Sequence, residues 1–121
     1  MEMREVRYLS DEQEEFVRVL FQAGLRQNDG RILVFLAGSP GATSRDIARG
    51  TDISQGALSL ALVRLGKLGW ITHTRGPGSN AYRNYSLAPA FGEFINGIES
   101  GIREECARYQ QEIRKVKEGM K

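Results

Sequence analysis

Few residues of this chain are suited to covalent or metal chemistry. A single histidine (His73) and a single cysteine (Cys106) exclude an intramolecular disulfide and a multi-cysteine or histidine-rich zinc centre. His73 falls in a strand-like run, where a lone histidine reads as structural. Cys106 falls in a helical run and reads as an inert, half-buried thiol, with a redox switch as the alternative. Gly38-Ser39-Pro40-Gly41 has the look of a phosphate loop but lacks the lysine that meets the β- and γ-phosphates, so it reads as a connection. No acid–base pair, activated nucleophile or ligand cluster stands out. Neither an enzyme nor a cofactor or metal is therefore expected.

The residue types present favour anion contact instead. Thr43, Ser44 and Arg45 cluster at an expected helix start, where free N–H groups attract an anion. Arg75 and Arg83 flank a Gly/Pro loop, with Thr74, Ser79 and Asn80 as neutral donors beside them. Arg49 is open between phosphate contact and a solvated surface. Charge is unevenly distributed: residues 1–28 carry four Arg against six acids, residues 29–88 six Arg and one Lys against three Asp, and residues 89–121 six of each sign. The excess of +4 thus sits in the middle, a mild bias that agrees with a nucleic-acid partner. With 40% hydrophobic and 26% charged residues the chain is ordinary globular material. No apolar run approaches the ~18 residues of a membrane span. The opening Met1-Glu2-Met3-Arg4-Glu5 is too charged for a signal peptide, so a soluble, cytoplasmic protein without a membrane partner is expected.

Local signals place the elements that must carry these residues. Ser10 followed by Asp11-Glu12-Gln13 is a capping box, and Phe16, Val17, Leu20, Phe21 and Leu25 recur at helical spacing behind it. Asn28-Asp29-Gly30 reads as the end of that helix and the start of another, Arg31 to Ala37. Thr43 or Ser44 then caps a short helix holding Ile47 and Ala48. Gly50-Thr51-Asp52 reads as a turn, Ile53 as an apolar plug, and Ser54 as the cap of a longer helix with Leu58, Leu62, Leu65 and Leu68 as its buried stripe. Short helix, tight turn, longer helix is the helix-turn-helix pattern. Gly69 ends the second helix. Two β-rich runs, Trp70 to Arg75 and Ala81 to Leu87, enclose Gly76-Pro77-Gly78-Ser79-Asn80, which makes a hairpin. A hairpin directly after a helix-turn-helix is a wing.

On these residues the sequence resembles winged helix-turn-helix regulators of the MarR type, closest to the GbsR-like branch. The resembling stretch runs from Gly30-Arg31-Ile32-Leu33 to Ser39-Pro40, then Asp46-Ile47-Ala48, then Ile53-Ser54-Gln55-Gly56-Ala57-Leu58-Ser59. It continues through Leu65-Gly66-Lys67-Leu68-Gly69-Trp70-Ile71 and covers roughly half the chain. The resemblance implies a mainly α fold with a small β-hairpin wing. It also implies that the second motif helix enters the major groove of double-stranded DNA, that the wing touches backbone or minor groove, and that terminal helices build a homodimer.

With Leu58, Leu62 and Leu65 turned inward, the outward face of that helix holds Gly56, Ser59, Leu60, Val63 and Lys67. Members of the family often carry Asn or Arg where this chain has Ala61 and Val63. Base-edge bonds therefore fall to Gln55, Ser59 and the flank-lying Arg64, beside the cap Ser54. Leu60 and Val63 face either thymine methyls or a protein, and Gly56 permits close backbone approach.

After Ala88-Pro89 the chain reads as one long helix. Its apolar residues, Phe91, Ile95, Ile98, Ile102, Tyr109, Ile113 and Val116, follow spacings of three, four or seven. About 28 residues would reach roughly 42 Å, longer than so small a domain is wide. A second copy is the simplest partner for the excess. The expected dimer residues are Phe16 and Leu20 near the N-terminus and Phe94, Ile98, Ile102, Tyr109, Ile113 and Val116 near the C-terminus. Three parts follow: 1–28 as N-terminal arm and dimerisation helix, 29–88 as the winged helix-turn-helix, and 89–121 as the C-terminal dimerisation helix. Two functions fit them. One is a dimeric, sequence-specific transcriptional regulator. The other is a winged-helix adaptor or partition-type protein, which binds DNA cooperatively or binds another protein through its apolar recognition helix.

Overall fold

The computed structural model describes residues 8–76 and 82–121. Among these residues five helices and one hairpin follow in the order α1 (Asp11–Gln22), α2 (Gln27–Gly38), α3 (Ser44–Thr51), α4 (Gln55–Lys67), β1 (Ile71–Arg75), β2 (Arg83–Leu87) and α5 (Pro89–Gly119). Ser79 and Asn80, expected at the hairpin tip, lie outside the described residues. Two compact units result, Met1–Phe91 and Gly92–Lys121.

The first unit is organised by helix ends. At α1 the expected capping box is present: Ser10 Oγ accepts from the Gln13 N–H at 3.2 Å, and Gln13 Oε1 accepts from the Ser10 N–H at 2.8 Å. The helix closes earlier than its apolar spacing suggested. Gly24 adopts φ 106°, its N–H donates to the Phe21 carbonyl, and the Leu25 N–H donates to the Leu20 carbonyl. These two bonds form the Schellman end that a glycine in this conformation permits. Asn28-Asp29-Gly30 is therefore no turn but the first turn of α2, with buried Gly30 against Val17 and Leu20 of α1. That packing also corrects the reading of Leu20. It is fully buried within its own unit, so it is a core residue and is not available to a second chain.

The helix-turn-helix forms as its caps predict. Thr43 caps α3 in a box with Asp46, and Ser54 Oγ caps α4 by accepting from the Ala57 N–H at 3.3 Å. Between them Gly50 and Thr51 extend α3 by two residues, and Asp52 alone turns the chain, at φ 57°. Aspartate is among the few non-glycine residues that tolerate this left-handed conformation. Ile47, Leu58, Ala61 and Leu65 are fully buried together with Ile32, Leu33 and Leu36 of α2. Each large side chain among them contributes about 1.5–3 kcal/mol by leaving water. Leu68 departs from the expected stripe: it is the C-cap of α4 and is 55% exposed. Gly69 at φ 76° then closes α4 with a second Schellman end, the Trp70 N–H donating to the Leu65 carbonyl.

β1 and β2 pair antiparallel, from Ile71 opposite Leu87 to Arg75 opposite Arg83. A third, bridge-like segment comes from the α2–α3 connection. The Tyr85 N–H donates to the Ala42 carbonyl at 2.9 Å, and the Gly41 N–H donates to the Tyr85 carbonyl at 2.8 Å. The stretch that mimicked a phosphate loop thus has its Gly41 N–H committed to the sheet. Trp70 and Phe91 pack with their rings tilted, 5.5 Å between centroids, and close this unit where α5 begins.

The second unit is helix α5 beyond Phe91. Every residue from Glu99 onward is exposed, including Ile102, Tyr109, Ile113, Val116 and Cys106, whereas Phe94, Ile95 and Ile98 are half-buried. Cys106 is thus an exposed free thiol, not the half-buried one expected from sequence. Glu99–Arg103 and Glu112–Lys115 pairs lie along the helix surface.

Candidate nucleic-acid interface

Two arginines set the position of the motif, and neither role was visible in the sequence. Arg31 of α2 donates through Nε and Nη2 to the Thr51 carbonyl at 3.1 and 3.0 Å, and through Nη1 to both Glu14 carboxylate oxygens at 2.7 and 2.6 Å. It therefore caps the otherwise unpaired C-terminus of α3 and fastens that end to α1. Arg64 of α4 donates to both oxygens of Asp29, at 2.6 Å from Nη2 and 3.3 Å from Nε. Asp29 is buried in the first turn of α2, where the helix dipole also favours a carboxylate. The hydrogen bond to Asp29 raises the pKa of Arg64, a guanidinium already charged at any ordinary pH. Arg64 is consequently a brace fixing the rotation of α4 on α2. The bidentate bond occupies the guanidinium that the sequence offered to a base edge.

The rotation so fixed presents Gln55, Gly56, Ser59, Leu60, Val63 and Lys67 outward, all of them exposed. A groove of about 680 Å³ separates this face from the hairpin, lined by Ser44, Ser59, Val63, Lys67, Thr72, His73, Arg83 and Tyr85. Ser44 brings the start of α3 to the same groove. Thr43 itself is occupied as a cap, its Oγ1 accepting from the Asp46 N–H at 3.3 Å and its own N–H donating to Asp46 Oδ2 at 3.2 Å. Beside it a depression of about 390 Å³ collects Arg45, Arg49, Asp46 and Tyr82.

On the hairpin, Arg75 and Arg83 are direct cross-strand partners, so both side chains leave the same face of the sheet. His73 and Tyr85 share that face two positions below, their rings 5.8 Å apart. Thr74 lies one position off and exposed, on the opposite face. Like charges directly opposed in a sheet destabilise it. Between Ile53 and Gly92 there is no acidic residue, while Arg64, Lys67, Arg75 and Arg83 fall within the same span. Lys67 and His73 were not singled out for DNA from sequence. The signal for Lys67 was available, since it follows Ser59 and Val63 at intervals of four on one helical face.

A helix-turn-helix followed by a two-stranded hairpin defines a winged helix. Residues 23–79 match the MarR family model. No curated protein sequence matches the chain. Among solved structures, a mutant MepR from a multidrug-resistant Staphylococcus aureus clinical isolate is similar at a TM-score of 0.62 and 20% identity, over 83% of this chain and 75% of that one. The wild-type MarR of Escherichia coli, in its apo form, is similar at 0.58 and 14%, over 74% and 67% of the two chains. A MarR family protein of Mycobacterium tuberculosis in complex with salicylic acid is similar at 0.52 and 21%, over 90% and 87%. At these identities the likeness is one of fold, the MarR-type winged helix. Among the described residues no helix is long and apolar enough to cross a membrane.

Proposed function

We propose that this protein is a homodimeric, sequence-specific transcriptional regulator that binds double-stranded DNA, with α4 in the major groove and the hairpin on the phosphate backbone. The observation that carries the reading is the convergence on one side of the first unit of the start of α3, the outer face of α4 and the Arg75–Arg83 pair, the last two within a span that holds no acid. Gln55 and Ser59 are the polar readers of base edges, and Ser44, Arg45, Thr74, Arg75 and Arg83 meet the backbone. Residues 29–88 serve as the DNA-binding part. The exposed apolar side chains of α1 (Phe16 and Phe21) and of α5 (Ile102, Tyr109, Ile113 and Val116) serve as the dimer surface, with Phe94 and Ile98 at its start. The motifs between Gly30 and Ile71 support the GbsR-like branch as the narrower placement. The reading assigns no catalytic activity and a cytoplasmic site of action.

The test is titration of duplex DNA at several salt concentrations. Neutralising phosphates releases counterions, so log affinity should fall linearly with log salt. Arg75→Ala and Arg83→Ala should each weaken binding to all duplexes about equally. Each should also flatten that slope by at least about 0.9 for every phosphate left without its cation, doubled when both subunits engage. Slopes identical to that of the unmodified protein would place both arginines away from DNA.

Base reading has a separate signature. A Gln55→Ala, Ser59→Ala double variant should lose discrimination between its preferred duplex and a scrambled one by about 1–3 kcal/mol per well-formed base pairing, while non-specific affinity stays nearly intact. Competition between the two duplexes measures this. Unchanged preference would remove both residues from the set of readers.

A further inference from the structure

The outward face of α4 is unusual for a surface meant to read bases through hydrogen bonds. Leu60 and Val63 stand one helical turn apart on it and are 69% and 58% exposed. Gly56 and Gly66 flank them on the same helix. A Cβ built at either glycine meets nothing within 4 Å, so the fold itself does not require glycine there. Each nevertheless costs about 1 kcal/mol of helix propensity relative to alanine. The face is thus apolar at its centre, flat at its ends, and shaped for close approach from outside.

Its surroundings say what approaches. Lys67 and Arg83 line the groove beside Val63, with Ser59 and Thr72 as neutral donors and no acid on its walls. An apolar patch bordered by cations on its groove side fits a polyanion that displays small apolar groups. In the major groove of DNA the group of that kind is the C5-methyl of thymine.

We propose that Leu60 and Val63 read thymine methyl groups, so that the preferred site is set by thymines in the major groove as well as by hydrogen bonds to Gln55 and Ser59. The inference rests on the DNA-binding reading above and adds to it the sequence class selected. Gly56 lets the start of α4 lie close enough for these two short side chains to reach the base edges.

Selection from a pool of random duplexes supplies a preferred site, which is then resynthesised with deoxyuridine at every thymine. This exchange keeps pairing and every hydrogen-bonding edge and removes only the methyls. Burial of one methyl-sized group corresponds to about 0.8 kcal/mol, so each methyl removed from beneath these side chains should weaken binding about fourfold. A Leu60→Ala, Val63→Ala variant, altered only at exposed positions, should bind the thymine and uracil duplexes with equal affinity. Equal binding of both duplexes by the unmodified protein, with salt dependence intact, overturns methyl reading and leaves the regulator standing. Retained discrimination in the alanine variant overturns it as well. Failure to bind any duplex in a salt-dependent way overturns both readings and assigns the apolar face to a protein partner.

Discussion

Replacing Ile98 and Ile102 together with Asp is expected to convert the proposed dimer into a monomer of 13.5 kDa. Ile102 is 47% exposed and Ile98 half-buried on a helix whose outer stripe continues through Tyr109, Ile113 and Val116. An apolar stripe of that length, interrupted only at Glu105 and Cys106, is rarely left to water in a monomer. Two carboxylates at its head would have to be buried unpaired in a dimer, which costs more than the stripe recovers there. Tight DNA binding should fall with the dimer. Two recognition units held together bind the second half-site as an intramolecular event, an advantage on the order of 10²–10⁴ in affinity. Light scattering at micromolar concentration and duplex titration report the two effects. A monomeric mass for the unmodified protein would sink the dimer outright.

The second large effect concerns stability. Arg64→Met should destabilise the fold by about 2 kcal/mol, below the 3–5 kcal/mol of a fully buried pair because the guanidinium remains partly open to water. The penalty arises less from the bond itself than from the Asp29 carboxylate, which is left buried without its partner. Adding Asp29→Asn to the same chain should therefore restore part of the stability, a coupling that urea denaturation of the four proteins of the cycle measures. A change below about 0.5 kcal/mol for Arg64→Met, typical of surface positions, would show that the pair does not brace α4 and would free Arg64 for DNA.

Both predictions draw on features that differ in how far the sequence disclosed them. Helix starts were legible because a cap is local: Ser10, Thr43 and Ser54 each act on a backbone N–H three residues on. The hairpin was legible for the same reason, whereas the motif's turn was placed two residues too early, at Gly50 and Thr51, which belong to α3. The bond from Arg64 to Asp29 spans 35 positions, and that from Arg31 to Thr51 spans 20. Nothing in local spacing marks such partners. The start of α2 was misjudged because its N-cap, Arg26, makes no side-chain bond, while Asn28-Asp29-Gly30 has the composition of a turn. Leu20 and Phe21 are neighbours in sequence and equally apolar, yet one is in the core and the other is 61% exposed. A difference of about 100° in helix phase decides between them, and only packing against α2 sets that phase.

In the proposed complex, the opposed arginines of the hairpin would link its stability thermodynamically to DNA binding. Their repulsion weakens the strand pairing at this position, and a phosphate placed between them in the proposed complex would remove that penalty. The relief is greatest when salt is low, since added ions screen the pair before any duplex arrives. The salt slope therefore contains a contribution from strand pairing as well as from counterions, and counting phosphates from it gives too many. Either arginine removed alone abolishes this contribution completely. The slope changes of the two single variants thus sum to more than that of the double variant, and the excess is the linkage between wing closure and DNA.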